Sequence, residues 1–270
     1  MADAAVPAWP RPYFEATEQQ TKIFFVCFGK APLAELPLSR SRYGLPESEA
    51  LKQLEVHEHR RATGKAWFEG WWNGSFAAVA QRDLGDDLAL LTTSDTCFTL
   101  GLELADQSDL SPQQSVWALA RWFCERGAHV VLDVHAFHFR TRQDVEQLDF
   151  AGSDVLRDIK LVLESEPTRD GLHLMHTRGL CKFARPELLC FVAPDDAALV
   201  GRAMNQIART LMDGASPARI RLRLADGVEL TTSATDDARL IDSLGLEAAV
   251  ELARTDGASL IGIAKLGPGW

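Results

Sequence analysis

Long apolar runs are missing from this chain of 270 residues. A membrane-crossing helix needs roughly 20 consecutive apolar residues, and no stretch approaches that, so no span is expected. The first twenty residues, MADAAVPAWPRPYFEATEQQ, lack both a basic start and a continuous apolar core. No export signal is therefore expected, and the cytoplasm is the expected compartment. Positive charge is scarce as well: Lys and Arg number 28 against 38 Asp and Glu, a formal net charge of -10. That balance opposes attraction to nucleic acid or anionic lipid and favours a basic protein partner. The five cysteines, Cys27, Cys97, Cys124, Cys181 and Cys190, are odd in number and widely spaced. They read as reduced, buried thiols rather than a disulfide framework or a zinc site. Common catalytic signatures are also missing. The chain has no GxSxG elbow, no GxxxxGKS/T phosphate loop, no GxGxxG, no HExxH and no CxxC, which removes the familiar cytosolic enzyme classes. No cofactor is expected.

What is present is a series of short apolar runs and amphipathic stretches. Residues 1–20 carry three prolines and no periodicity, and read as an arm on the surface or loose. Lys22 to Phe28, KIFFVCF, is a buried strand. Pro46 to about Arg61 suits a helix, on which His57 and His59 would point away from each other, so metal binding there is not expected. Asn73-Gly74 is a strong hairpin signal and predicts paired strands over Lys65 to Arg82, with Trp67, Trp71 and Trp72 in cross-strand aromatic packing. Leu88 to Thr93 reads as a strand. A helix starts at Ser111, with Pro112 in its first turn, Gln114 closing a capping box and Gly127 past its end. His129 to Phe139 reads as one strand with Asp133 and His135 on the same face.

Ser153 would cap a helix through Leu163, followed by a hairpin over Gly171 to Asp196 and a helix from Asp195 to Asp213 that stops at Gly214. Arg219 to Thr232 is a further hairpin. A three-residue loop, Ala225 to Gly227, opposes Leu222 to Leu230 and Arg223 to Glu229 and keeps the faces matched. A helix from Thr235 through Leu240, Leu244 and Val250 and a strand over Ser259 to Leu266 complete the chain. The order hairpin, helix, strand thus occurs twice, at Lys65 to Phe139 and at Gly171 to Arg223. The expected fold is α+β, mainly antiparallel sheet covered by helices, in two similar halves: arm 1–20, first half 21–150 and second half 151–270, or one continuous domain.

The candidate binding residues gather in the central hairpin, where His176, Arg178, Lys182, Arg185 and Glu187 flank the turn formers Gly179 and Pro186. Arginine beside histidine suits an anion or a partner's carboxylate. The same residues suit a salt-bridged turn that fixes the register of two core strands. Asp133 and His135 are the alternative, a carboxylate-imidazole pair for metal-dependent or acid-base hydrolysis. Histidines three apart, His135 with His138 and His173 with His176, point to opposite faces of a strand and do not chelate.

The run HTRGLCKFARPELLCFV, followed by a helix and a late hairpin, resembles the second half of a bacterial domain-of-unknown-function family with Thr, Gly-Leu, Phe and Pro-Glu at this spacing. The matching residues are Thr177, Gly179, Leu180, Phe183, Pro186 and Glu187, and Ala184 stands where glycine is expected. The resemblance implies a cytosolic α+β domain of the kind found as accessory or immunity proteins beside bacterial toxins, with no reaction or cofactor attached. The expected function is therefore protein binding of immunity or antitoxin type, directed at a basic toxin or effector. A hydrolase using Asp133 and His135 and a structural subunit of a bacterial assembly are the alternatives.

Overall fold

A computed structural model describes residues 5–169, 171–223, 229–235, 238–246 and 248–254. The fold is α+β, and the chain divides into two compact units. One is Met1–Pro10 with Thr21–Ala105 and Asp109–Ser153; the other is Arg11–Gln20 with Asp106–Ser108 and Asp154–Trp270.

The first unit runs β1 (Gln20–Gly29), α1 (Arg40–Tyr43), β2 (Glu55–Arg60), α2 (Lys65–Asn73), α3 (Ala77–Leu84), α4 (Leu88–Thr92), β3 (Thr96–Ala105), α5 (Ser111–Glu125), β4 (Ala128–Asp133), β5 (His138–Thr141) and α6 (Arg142–Gln147). Its five-stranded sheet has the order β2-β3-β1-β4-β5. The apolar run of β1 is buried on both faces. Val26 and Phe28 pack with Phe68, Trp72, Leu84 and Leu91, while Phe25 meets Trp117 of α5 edge-on at 4.8 Å. A strand covered on both sides must be apolar throughout, which is why KIFFVCF shows no alternation.

Several expectations are corrected here. Lys65 to Arg82 is not a hairpin, because the chain forms α2 and α3 on either side of Gly74. The aromatic residues recur at i and i+4, Phe68 with Trp72 and Trp67 with Trp71, with ring centroids at 5.6 and 5.7 Å. That helical spacing outweighs the local Asn-Gly signal. Leu88–Thr92 is likewise helical. The expected helix from Pro46 shrinks to a 3-10 turn over Glu49–Gln53, and the chain then forms β2, paired antiparallel with β3, a strand the periodicity did not reveal. At α5 the capping box does not form. Gln114 accepts from Trp9 N and donates to Gly44 O, and Ser111 Oγ meets Ser48 Oγ at 2.8 Å. Nor is the N-terminal arm loose, since Trp9 and Arg11 are both buried.

The second unit contains α7 (Val155–Asp158), β6 (Lys160–Arg169), β7 (Leu172–Arg178), β8 (Glu187–Val192), α8 (Ala197–Met212), β9 (Arg221–Arg223), β10 (Glu229–Ala234), α9 (Ala238–Leu244) and β11 (Ala249–Arg254). The six-stranded sheet has the order β6-β7-β8-β11-β10-β9, with β11 parallel to β8 and the other neighbouring pairs antiparallel. The helix expected from Ser153 to Leu163 ends after one turn, capped by Asp154, and Lys160 onward pairs with β7. Here sheet pairing overrides a helical apolar spacing.

On α8, Leu199, Ala203, Ile207 and Leu211 are buried as the four-residue repeat requires. Gly201 lets this helix approach β6, since a Cβ there would lie 2.9 Å from Leu161 Cδ2. The register argued for the late hairpin is the one found: Arg223 opposes Glu229 and Leu222 opposes Leu230. Its loop and the strand expected over Ser259 to Leu266 lie outside the described residues. The expected helix through Val250 ends at Leu244, and Val250 belongs to β11. The order hairpin, helix, strand holds in the second unit. The first is built differently, because its supposed hairpin is helical.

Candidate functional site

The central hairpin is the expected one, and its turn accounts for Thr177, Gly179 and Glu187. After β7 the chain passes Gly179 at φ 111, a 3-10 turn over Leu180–Phe183 and Ala184 at φ 52 and ψ 44 before entering β8. Glu187 points back into that turn. Its Oε1 accepts from the backbone N–H groups of Gly179 and Leu180, both at 2.8 Å, and of Cys181 at 3.4 Å. Its Oε2 accepts from Thr177 Oγ1 at 2.7 Å, and the same hydroxyl accepts from Leu188 N at 2.8 Å. Leu180 and Phe183 in the same turn are fully buried. Burial pushes the Glu187 pKa up, and the four donors offset part of that push. Thr177, Gly179, Leu180 and Glu187 therefore form one interacting set that closes the hairpin. Ala184 adopts the left-handed conformation that favours glycine, a geometry that strains any residue with a Cβ.

The five candidate residues come together but face inward. His176, Lys182, Arg185 and Glu187 are buried, and Arg178, half-buried, donates from Nη2 to Leu244 O. His176 Nε2 lies 3.0 Å from Glu164 Oε1 and its Nδ1 3.2 Å from Thr177 O. Burial lowers the His176 pKa, against the pull of Glu164. The acid that Arg185 meets is Asp106, with Nη1 at 2.7 Å from Oδ2. Its other N–H groups reach the carbonyls of Ala184, Glu15, Gly214 and Ala215 at 2.6–3.0 Å. Arg11 holds the other oxygen of Asp106 and donates to the carbonyls of Gln107, Phe183 and Met212. The three side chains are no more than 1% exposed. Burial lowers the Arg11 pKa, and Asp106 opposes this.

One carboxylate shared by two guanidinium groups fastens four separate segments of the second unit. Sequence reasoning missed it because Arg11 lies in a proline-flanked stretch without periodicity and Asp106 resembles an ordinary turn acid. The partners are 95 and 79 residues apart, so no local pattern joins them.

The alternative pair is also rearranged. The strand expected over His129 to Phe139 is two strands, β4 and β5, joined by a tight turn in which Phe137 has φ 50. Asp133 is buried and its Oδ1 accepts from Ala136 N at 3.2 Å, an Asx-type bond that closes the turn. His135 lies in the turn rather than on a strand, so it does not share a strand face with Asp133. Four cysteines are buried, and desolvation pushes the thiols of Cys97, Cys124 and Cys190 to about 12, outside the range of nucleophilic cysteine.

A cleft beside β2 carries no mark in the sequence. Because 55–60 is a strand and not a helix end, His57 and His59 share a face of β2, with ring centroids 6.4 Å apart. His59 lies against Trp67 at 4.3 Å and places Nε2 3.2 Å from Thr99 Oγ1. Burial lowers its pKa, and His57 adds to the shift. Glu58, His59, Arg60, Thr63, Gly64 and Trp67 line an open cleft of ≈ 570 Å³. No described helix is long and apolar enough to cross a membrane. No family model matches the chain, and neither the curated proteins nor the solved structures searched contain a match.

Proposed function

We propose that this chain is a non-enzymatic binding protein of immunity or antitoxin type, which neutralises a basic toxin by protein contact. The observation that carries the reading is where the charge lies. Inside the fold Arg11, Arg140, Arg157, Lys182 and Arg185 are balanced by acids such as Asp133, Asp158, Glu187 and Asp196. Among the described residues the buried charges thus hold none of the acidic excess in the net charge of -10, and exposed acids steer a basic partner and speed encounter. The polar groups that might have served chemistry, Glu187 with Thr177 and Asp133 with Ala136, are engaged in turns. The resemblance of the central hairpin to a family associated with immunity proteins points the same way.

Co-expression with the product of the neighbouring gene tests this reading. The expected result is a complex that co-purifies at low salt, weakens as salt rises and relieves the toxicity of that product. Failure to co-purify at low salt contradicts it. A chain that instead assembles with itself, seen by size-exclusion chromatography with light scattering, favours a structural subunit.

A further inference from the structure

β2 is an edge strand of the first unit's sheet, paired with β3 in unbroken register. Alternate residues of a strand share a face, so Glu55, His57 and His59 project to the same side. The His57 side chain is 62% exposed and its Nε2 lies 3.5 Å from Glu55 Oε2. His59 is held in place by Thr99 on the neighbouring strand and by the Trp67 ring. The His59 imidazole is thus held within the sheet, and the exposed His57 ring rests beside Glu55. We propose that His57 and His59 form a chelate for a divalent transition-metal ion of the Zn²⁺ or Cu²⁺ class, with Glu55 orienting the His57 ring.

Imidazole nitrogen is the ligand these borderline ions favour over Mg²⁺ or Ca²⁺. Ring nitrogens bind Zn²⁺ at about 2.0–2.1 Å. Centroids 6.4 Å apart come within that reach when the exposed His57 ring swings toward His59 about its side-chain torsions. A carboxylate beside a ligating histidine fixes the ring's orientation and raises its basicity, which is the relation Glu55 has to His57. Among the described residues no group of three or more His, Cys, Asp and Glu side chains is set to hold an ion, so water completes the coordination shell. Glu58 and Arg60 pair with each other at 2.8 Å, from the opposite face of the strand. The sequence hid this pair because it placed both histidines on a helix.

The test uses the full chain carrying Cys181→Ser, which removes the one cysteine that is not buried. Zn²⁺ is titrated by calorimetry, and Cu²⁺ by quenching of tryptophan emission. Single-site binding is expected, weakened at least about tenfold in His57→Ala and in His59→Gln because each breaks the chelate. The largest part of the Cu²⁺ quenching should disappear in Trp67→Phe, whose ring lies against the ligand. His57 is exposed, so its replacement leaves the core intact, and that variant decides the matter if His59→Gln folds poorly. Affinity unchanged in His57→Ala overturns the proposal, as does wild-type binding weaker than about 1 mM.

Discussion

Replacing Glu187 separates a turn-closing carboxylate from an exposed ligand-binding one. Glu187→Ala leaves Thr177 Oγ1 and the N–H groups of Gly179 and Leu180 without their acceptor, in a turn where Leu180 and Phe183 exclude water. Each orphaned buried donor costs about 1–3 kcal/mol. Removing a carboxylate whose burial is itself unfavourable recovers part of that cost. The net loss is expected near 3–6 kcal/mol, a large share of the roughly 5–15 kcal/mol that a domain commands. Glu187→Gln keeps one oxygen for the Gly179 and Leu180 amides but replaces the acceptor of the Thr177 hydroxyl with a donor. It should lose about 1–3 kcal/mol. Urea denaturation of the three proteins, followed by far-UV circular dichroism, gives both differences, and the order wild type, Gln, Ala is the expected one. A Glu187→Ala variant as stable as wild type would refute the reasoning and return Glu187 to the list of surface binding residues.

Asp106→Ala should destabilise by about 3–5 kcal/mol, because it strands two buried guanidinium groups at once; a shift in urea midpoint too small for this would show that water reaches the site. Ala184→Gly should stabilise by about 0.5–1 kcal/mol, the relief of left-handed strain less the greater freedom of glycine when unfolded, and a raised melting temperature checks it. The His176 pKa is lowered in the folded state by burial, so below the ordinary value of 6.5 the unfolded chain binds more protons. The stability His176 contributes is present above that pH and is lost as pH falls toward its folded value. Melting curves from pH 7 to 5 should show the decline, with a shallower one in His176→Gln.

The elements that could be read from sequence are those whose signals agree with their surroundings. The Ile23–Phe28 run of β1 is uniformly apolar because it is covered on both faces, and α8 keeps a four-residue repeat because one face meets the sheet. The late hairpin's register follows from matching faces across a short loop. Elsewhere a local signal lost to a non-local one. Asn73-Gly74 promised a hairpin, yet Phe68 and Trp72 had to reach the same core as Phe28 and Leu91. Val155 to Leu163 has helical spacing, but β7 needed a partner and took Lys160 onward.

At the central hairpin the sequence grouped five polar residues without revealing that they face inward. Inward orientation depends on Asp106 and on the backbone amides of the turn, and neither carries a sequence mark. The two histidines of β2 became neighbours only when that stretch proved to be a strand.

The most direct test of an acidic surface acting by contact is the association rate of the purified chain with the neighbouring gene's product, measured by stopped flow from about 0.02 to 0.5 M salt, a range over which screening shortens to a few ångströms. The account predicts a rate that falls steeply with ionic strength while dissociation changes little. A complex whose association ignores salt, or no complex at the lowest salt, would contradict it.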